Sequence, residues 1–170
     1  MLREEIHFHF SKNRSHITAI NIRKDENGFL HATIADSLKK DPSELQMVLD
    51  AIKHNNERAK ARKCTELANI LAMGQNLNAQ QTELLDSLAD FKPESYAQHV
   101  TTHEQTVTNS CGFHAVVNLY ALNQNPNITN VSQFGEKLEE ELSQHKDKSV
   151  ALDTLGNAIK TKLEGGDIEI

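Results

Sequence analysis

Gln105-Thr106-Val107-Thr108-Asn109-Ser110-Cys111-Gly112-Phe113-His114-Ala115 is the stretch on which the reading of this chain turns. The run is polar and β-branched as far as Ser110. From Cys111 onward apolar residues recur at helical spacing, through Ala115, Val116, Leu119 and Leu122, until Asn125-Pro126 stops them. The cysteine therefore opens a helix. A thiolate is the nucleophilic form of cysteine, and the dipole and unpaired N–H groups of a helix N-terminus stabilise it. Gly112 lets a substrate backbone come close. Gln105, six residues earlier, can donate its side-chain amide toward a carbonyl oxygen under attack by Cys111. Together with the Cys111 backbone N–H it makes an oxyanion hole, worth ~3 kcal/mol in a transition state. The competing reading is an inert, buried cysteine with a solvated glutamine beside it, as free cysteines often are. The combination of Gln, spacing, Gly and helix start favours the chemical one. The second cysteine, Cys64, sits among Lys60, Arg62 and Lys63. Those cations favour a thiolate, but nothing nearby can orient a base, and Cys64 reads as a bystander.

A cysteine nucleophile needs a histidine, and the histidine needs an acceptor to orient it. Nine histidines are available, so geometry has to choose. His145, the only one after His114, lies at the polar end of a charged helix with Glu139, Glu140, Glu141 and Lys146. His114 follows Cys111 by one turn and is expected half-buried against a neighbouring sheet. His99 and His103 are expected to alternate on a strand and be solvated. The upstream residues read better. Ile6, Phe8 and Phe10 alternate with Glu5, His7 and His9, a period of two. His16–Ile22 is a second β run, Asp25-Glu26-Asn27-Gly28 a turn, and Phe29–Ala35 the returning strand, ended by Asp36-Ser37. A hairpin turning there sets His16 opposite Asp36 or Ser37, and cross-strand neighbours lie ~5 Å apart. His16 and Asp36 thus become the candidate base and its orienter; the alternative for Asp36-Ser37 is a polar strand exit.

Between hairpin and cysteine the pattern is helical. Pro42 fits the first turn of a helix capped by Asp41, with Leu45, Val48, Leu49 and Ile52 on one face. Leu67, Ile70 and Leu71, and then Leu84, Leu85 and Leu88, suggest two more helices, separated at Gly74 and Asn76. Residues 92–108 read as strand and loop, and two amphipathic helices are expected near 131–145 and 149–163. The expected fold is α+β within a single 1–170 domain: a small antiparallel sheet, a helical insert, and the Cys111 helix packed on the sheet. Hydrophobic residues make up 38% and charged residues 25%, enough for a core of its own. Lys+Arg total 18 against Asp+Glu 24, and Trp is absent; a nucleic-acid reader would carry the opposite balance. Two cysteines are no disulfide framework, so a reducing, cytoplasmic setting is expected. Met1–His7 lacks a basic stretch followed by an apolar run, so no secretory signal is expected. No run nears the ~20 apolar residues of a membrane span. No metal or organic cofactor is expected.

In the order His16, Asp36, Gln105, Cys111 the chain resembles the Ulp/SENP peptidases, the adenovirus peptidase and the YopJ-type effectors, the clan CE branch of the papain-like superfamily. His16–Ile22 followed by Ile34-Ala35-Asp36-Ser37 is similar to their His-strand and Asp-Ser pair. Asn109-Ser110-Cys111-Gly112-Phe113 is similar to their Asp-Cys-Gly-Met/Ile-Phe box. The likeness covers residues 16–124, and only the Cys box is specific. It implies a papain-like core and a thiol peptidase that removes ubiquitin or a ubiquitin-like modifier. In it His16 is the base, Asp36 fixes the imidazole and Gln105 holds the oxyanion. The YopJ side implies an effector delivered into a host cell, or an acetyltransferase using the same triad, which would need a basic pocket that the sequence does not display. A third reading is a binding module of the same fold that has lost its chemistry. Ile17 stands where many relatives carry Trp, and the Trp residues that clamp a Gly-Gly tail have no counterpart, which favours that third reading. His16 lies close to Met1, so a catalytic core or an unusually short member is expected. The Gln-to-Cys run also resembles the ubiquitin C-terminal hydrolases, but these expect their His downstream.

Overall fold

Asp25 closes the first hairpin. Its carbonyl accepts from Gly28 N at 3.0 Å, its N–H donates to Phe29 O at 2.9 Å, and its Oδ1 accepts from the N–H groups of Asn27 and Phe29. Gly28 sits at φ +89°, where a side chain would be strained. The flanking strands in this computed structural model are β2 (Ile17–Lys24) and β3 (Leu30–Ala35), within two residues of the expected runs. The structure describes residues 4–10 (backbone only), 16–38, 41–107, 110–125, 127–144, 147 and 153. Strand β1 (Glu4–Phe10) precedes the hairpin, β4 (Ala97–His99) comes much later, and the sheet order is β1-β2-β3-β4.

The sheet is mixed, where an antiparallel one was expected. β2 and β3 are antiparallel, joined by a tight turn. Along β3 and β4, however, contacts advance in the same direction. The His31 ring lies 4.8 Å from that of Tyr96, Thr102 Oγ1 donates to Asp36 O, and Gln105 N donates to Ser37 O at 2.8 Å. Parallel neighbours need a long crossover, and the helical insert supplies it.

That insert begins with α1 (Pro42–Ala72), where Asp41 Oδ1 caps Ser43 N at 2.8 Å and Pro42 occupies the first turn. The break expected between the 45–52 and 67–71 patterns does not occur. Residues 53–66 contain neither Gly nor Pro and are rich in Glu, Arg, Lys and Ala, so helix propagates through them. α2 (Ala79–Ala89) follows, opened by a reciprocal capping box between Asn78 and Gln81.

By contacts the described chain divides into two compact units. The first comprises Met1–Ile6, Asn21–Ile34 and Asp41–Gln98. Its core is Phe29, Ala59, Leu67 and Leu88, with Phe91 and Tyr96 packed on it. Asn56, buried on α1, pairs with Leu30 in both directions: Leu30 N donates to its Oδ1 at 2.7 Å and its Nδ2 donates to Leu30 O at 2.9 Å. A polar side chain is tolerated there because both of its groups are bonded.

The second unit comprises His7–Ile20, Ala35–Lys40 and His99–Ile170. It contains α3 (Cys111–Gln124) and α4 (Ser132–Gln144). α3 starts at the cysteine and ends before Asn125, as its apolar pattern requires. Ala115, Leu119 and Leu122 of α3 pack with Ala19, Ala35, Val100 and Val131. The small side chains Ala19 and Ala35 let the helix approach the strands closely. Of the helix expected over 149–163 only Asp153 is described, and it is helical; His145 lies outside the described residues. No described helix is long and apolar enough to cross a membrane.

Candidate functional site

All four residues singled out by sequence fall in the second unit. His16 stands immediately before β2, and Asp36 immediately after β3. Hairpin pairing brings them together, with His16 Nε2 2.6 Å from Asp36 Oδ1. The side chains are 13% and 6% exposed, so this pair is largely withdrawn from water. An ionised carboxylate can only accept, so the shared proton sits on Nε2. Asp36 is itself held: Oδ1 also accepts from Leu38 N at 2.8 Å, and its carbonyl accepts from Thr102 Oγ1. The other ring nitrogen, His16 Nδ1, is buried and has no hydrogen-bond partner among the described residues. In the Nε2–H tautomer that atom carries a free lone pair, the form required of a base.

Ser37 continues the arrangement. It is buried at 2% exposure. Its carbonyl accepts from Gln105 N, and its hydroxyl donates to Gln105 Oε1 at 3.0 Å. With the oxygen of the carboxamide engaged, the Gln105 NH2 is the end left to donate elsewhere. The Asp36-Ser37 exit thus orients two candidate groups through adjacent residues.

Cys111 is the first residue of α3 and is buried. Ser110 precedes it, fully buried, with its hydroxyl spent on Val107 O at 2.7 Å and its carbonyl accepting from Phe113 N and His114 N. The Cys111 N–H bonds to no described acceptor. A Cβ on Gly112 would come 3.4 Å from Ile17 Cδ1. The start of β2, next to His16, therefore lies against the first turn of α3, next to Cys111. Ile17 makes that junction.

A second histidine–carboxylate pair lies in the same unit, and it contains a residue the sequence reading missed. His114 is fully buried, against α4 rather than half-buried on the sheet. Its Nε2 is 2.8 Å from Glu139 Oε1. Glu139 also accepts from Thr106 N at 3.1 Å, from Thr106 Oγ1, and from Val107 N at 3.4 Å. Burial pushes the Glu139 carboxyl up, but the bonds from Thr106, His114 and Val107 outweigh it and hold it at about 2. Burial holds His114 below the usual imidazole range despite the attraction of Glu139, and His103 adds to the lowering. His103 is partly buried, its ring stacked 6.2 Å from that of His114, and His99 is partly buried as well; neither is solvated on a long strand, because β4 ends at His99. The signal for Glu139 was its place on the apolar face of α4. Gly135, Leu138, Glu139 and Leu142 share one side of that helix, and a carboxylate there has to find donors.

Cys64 is exposed on α1, in the first unit. Among the described residues no group of three or more His, Cys, Asp or Glu side chains is arranged to hold a metal ion. Comparison with protein-family models, with curated proteins and with solved structures finds nothing that matches this chain.

Proposed function

We propose that this chain is a thiol hydrolase of the Ulp/SENP type, cleaving the isopeptide or peptide bond that follows the C-terminus of ubiquitin or a ubiquitin-like protein. The observation that carries this reading is the His16–Asp36 pair: Nε2 is fixed by a buried carboxylate, Nδ1 is bare, and the strand it opens packs on the turn that begins with Cys111. A buried histidine normally satisfies both nitrogens. One left with a lone pair, a single residue away from the contact between Ile17 and the first turn of α3, is suited to accept a proton.

In this reading His16 Nδ1 takes the Cys111 proton and the thiolate attacks the carbonyl carbon. The oxyanion receives the Gln105 NH2 and the Cys111 N–H. Asp36 keeps the imidazole in the Nε2–H form and stabilises the imidazolium. His16 then protonates the leaving amine, and water, deprotonated by the same nitrogen, releases the acyl group from sulfur. Support for Gln105 comes from Ser37, which engages the oxygen end of its carboxamide.

The test is a ubiquitin or SUMO probe ending in a vinyl-type electrophile, incubated with the folded chain. Adduct at Cys111 and none at the exposed Cys64 is the expected result. No adduct from any such probe, with turnover of an acetyl-coenzyme donor instead, would move the triad to acyl transfer. Neither, with folding intact, would leave a binding module.

A further inference from the structure

We propose that Glu139 is the positioning residue for Gln105 and for the first turn of α3, a role that rests on the thiol reading of Cys111. The carboxylate projects from the apolar face of α4, between Leu138 and Leu142, with its side chain only 10% exposed. Putting a charge there costs desolvation that a solvated helix face would avoid. Among the described residues its bonds go to two places: the backbone and hydroxyl just after Gln105, and the ring one turn after Cys111. Glu139 thereby ties the oxyanion donor and the nucleophile's helix to a single side chain.

Gln105 is held on its other side by Ser37, through both its backbone N–H and its carboxamide. Ser37 and Glu139 together fix the peptide from opposite directions. Such bracing matters because an oxyanion donor displaced by ~0.5 Å loses much of its effect. Glu139 touches no reacting atom; it acts through Thr106 and His114. Gly135 completes the device one turn earlier on α4. A Cβ at that position would come 2.7 Å from His103 Cβ and 3.1 Å from His114 Nδ1, so glycine lets His103 seat against the helix and leaves the His114 ring uncrowded.

Glu139→Gln keeps the shape and leaves one oxygen, which cannot serve the Thr106 and Val107 amides, the Thr106 hydroxyl and the His114 N–H together. The measurement is steady-state hydrolysis of a fluorogenic ubiquitin or SUMO C-terminal amide by the full chain, with the vinyl probe on wild type as reference. Glu139→Gln is expected to lower kcat at least tenfold with KM within twofold, and to leave the alkylation rate of Cys111 by iodoacetamide within about twofold. In a Gln105→Ala background the same change should cost less than twofold, because the group it positions is gone. An undiminished cost in that background, or no cost in wild type, overturns the proposal while leaving the thiol reading standing. Wild type that neither labels nor turns over overturns the thiol reading, and this role with it. If Glu139→Gln does not fold, Thr106→Val, which removes one bond at an exposed position, is read by the same cycle with an expected loss of about threefold.

Discussion

Replacing Asp36 by Asn keeps the volume of the side chain and removes the charge that orients His16. Asp36 Oδ1 serves two donors, His16 Nε2–H at 2.6 Å and Leu38 N–H at 2.8 Å. Asn has a single oxygen, and the Leu38 N–H, fixed in the backbone, holds that oxygen inward. The Nε2–H tautomer therefore survives, and the loss is the difference between a charge-assisted and a neutral bond. That difference is about 1–2 kcal/mol, or about 5- to 30-fold in rate at ~1.36 kcal/mol per decade. The flipped amide, minor in population, would offer NH2 to Nε2 and drive the proton onto Nδ1, the nitrogen that has to accept. Its contribution raises the expected loss in kcat to between about 10- and 100-fold. His16→Ala should cost as much as loss of the thiol, because members of such a unit do not act independently. Hydrolysis of a ubiquitin or SUMO C-terminal fluorogenic amide gives the rates, and imidazole nitrogen shifts in an NMR spectrum give the His16 tautomer. An unchanged kcat for Asp36→Asn would refute the reasoning. So would a loss equal to that of His16→Ala with the Nε2–H tautomer retained.

Cys111→Ala should abolish hydrolysis while leaving the far-UV spectrum and Tm close to wild type; turnover at wild-type rate would end the thiol reading. Gln105→Ala should lower kcat by roughly 10²-fold or more through lost oxyanion binding, and an unchanged kcat would return Gln105 to a purely structural role between β4 and α3. Acid should destabilise the second unit in two stages. Buried, neutral His114 is protonated more readily when unfolded, so stability falls below the ordinary imidazole value of 6.5. Glu139, held from 4.5 down to about 2, contributes stability above pH 4.5 that is lost as pH falls toward 2. Urea midpoints at pH 7, 4.5 and 2.5 should drop for wild type, and the fall between pH 4.5 and 2.5 should be smaller for Glu139→Gln; an equal fall over that range would sever Glu139 from acid stability.

The hairpin was legible because its information is local. Asn27-Gly28 names the turn, alternation names the strands, and counting outward from the turn brings His16 to Asp36 without any tertiary knowledge. The Cys111 helix was legible for the same reason, from an apolar stripe with a Pro126 stop. What escaped the sequence depends on long-range pairing. The parallel partnership of β3 and β4 is set by where a 31-residue helix and its successor return the chain, and that helix was misread as two because its middle carries few apolar residues. Its buried face there is Asn56 and Ala59, residues that hydropathy does not mark. Glu139 escaped because it is followed by Glu140 and Glu141, so a buried carboxylate was hidden in what reads as a solvated acidic run.

Two histidines, one buried and one largely so, lie in one unit, each bonded through Nε2 to a carboxylate and each with an Nδ1 that has no partner among the described residues. Chemistry of the ring alone cannot say which is the base; their surroundings can. His114 has no exposure, its ring is stacked on His103, and its Nδ1 faces Gly135 so closely that a methyl group would not fit. A proton arriving there would find no acceptor and no water, and burial already disfavours the charged ring. It is a strut between α3 and α4. His16 retains 13% exposure, is held from one side only, and precedes the residue that touches the first turn of α3. A base has to gain and lose a proton within each turnover, so it needs a fixed tautomer and an approachable second nitrogen at once. Both pairs fix a tautomer, and both Nδ1 atoms are buried; what favours His16 as the base in the proposed reading is that its ring keeps some exposure and lies one residue from the contact with α3, whereas the His114 ring keeps none.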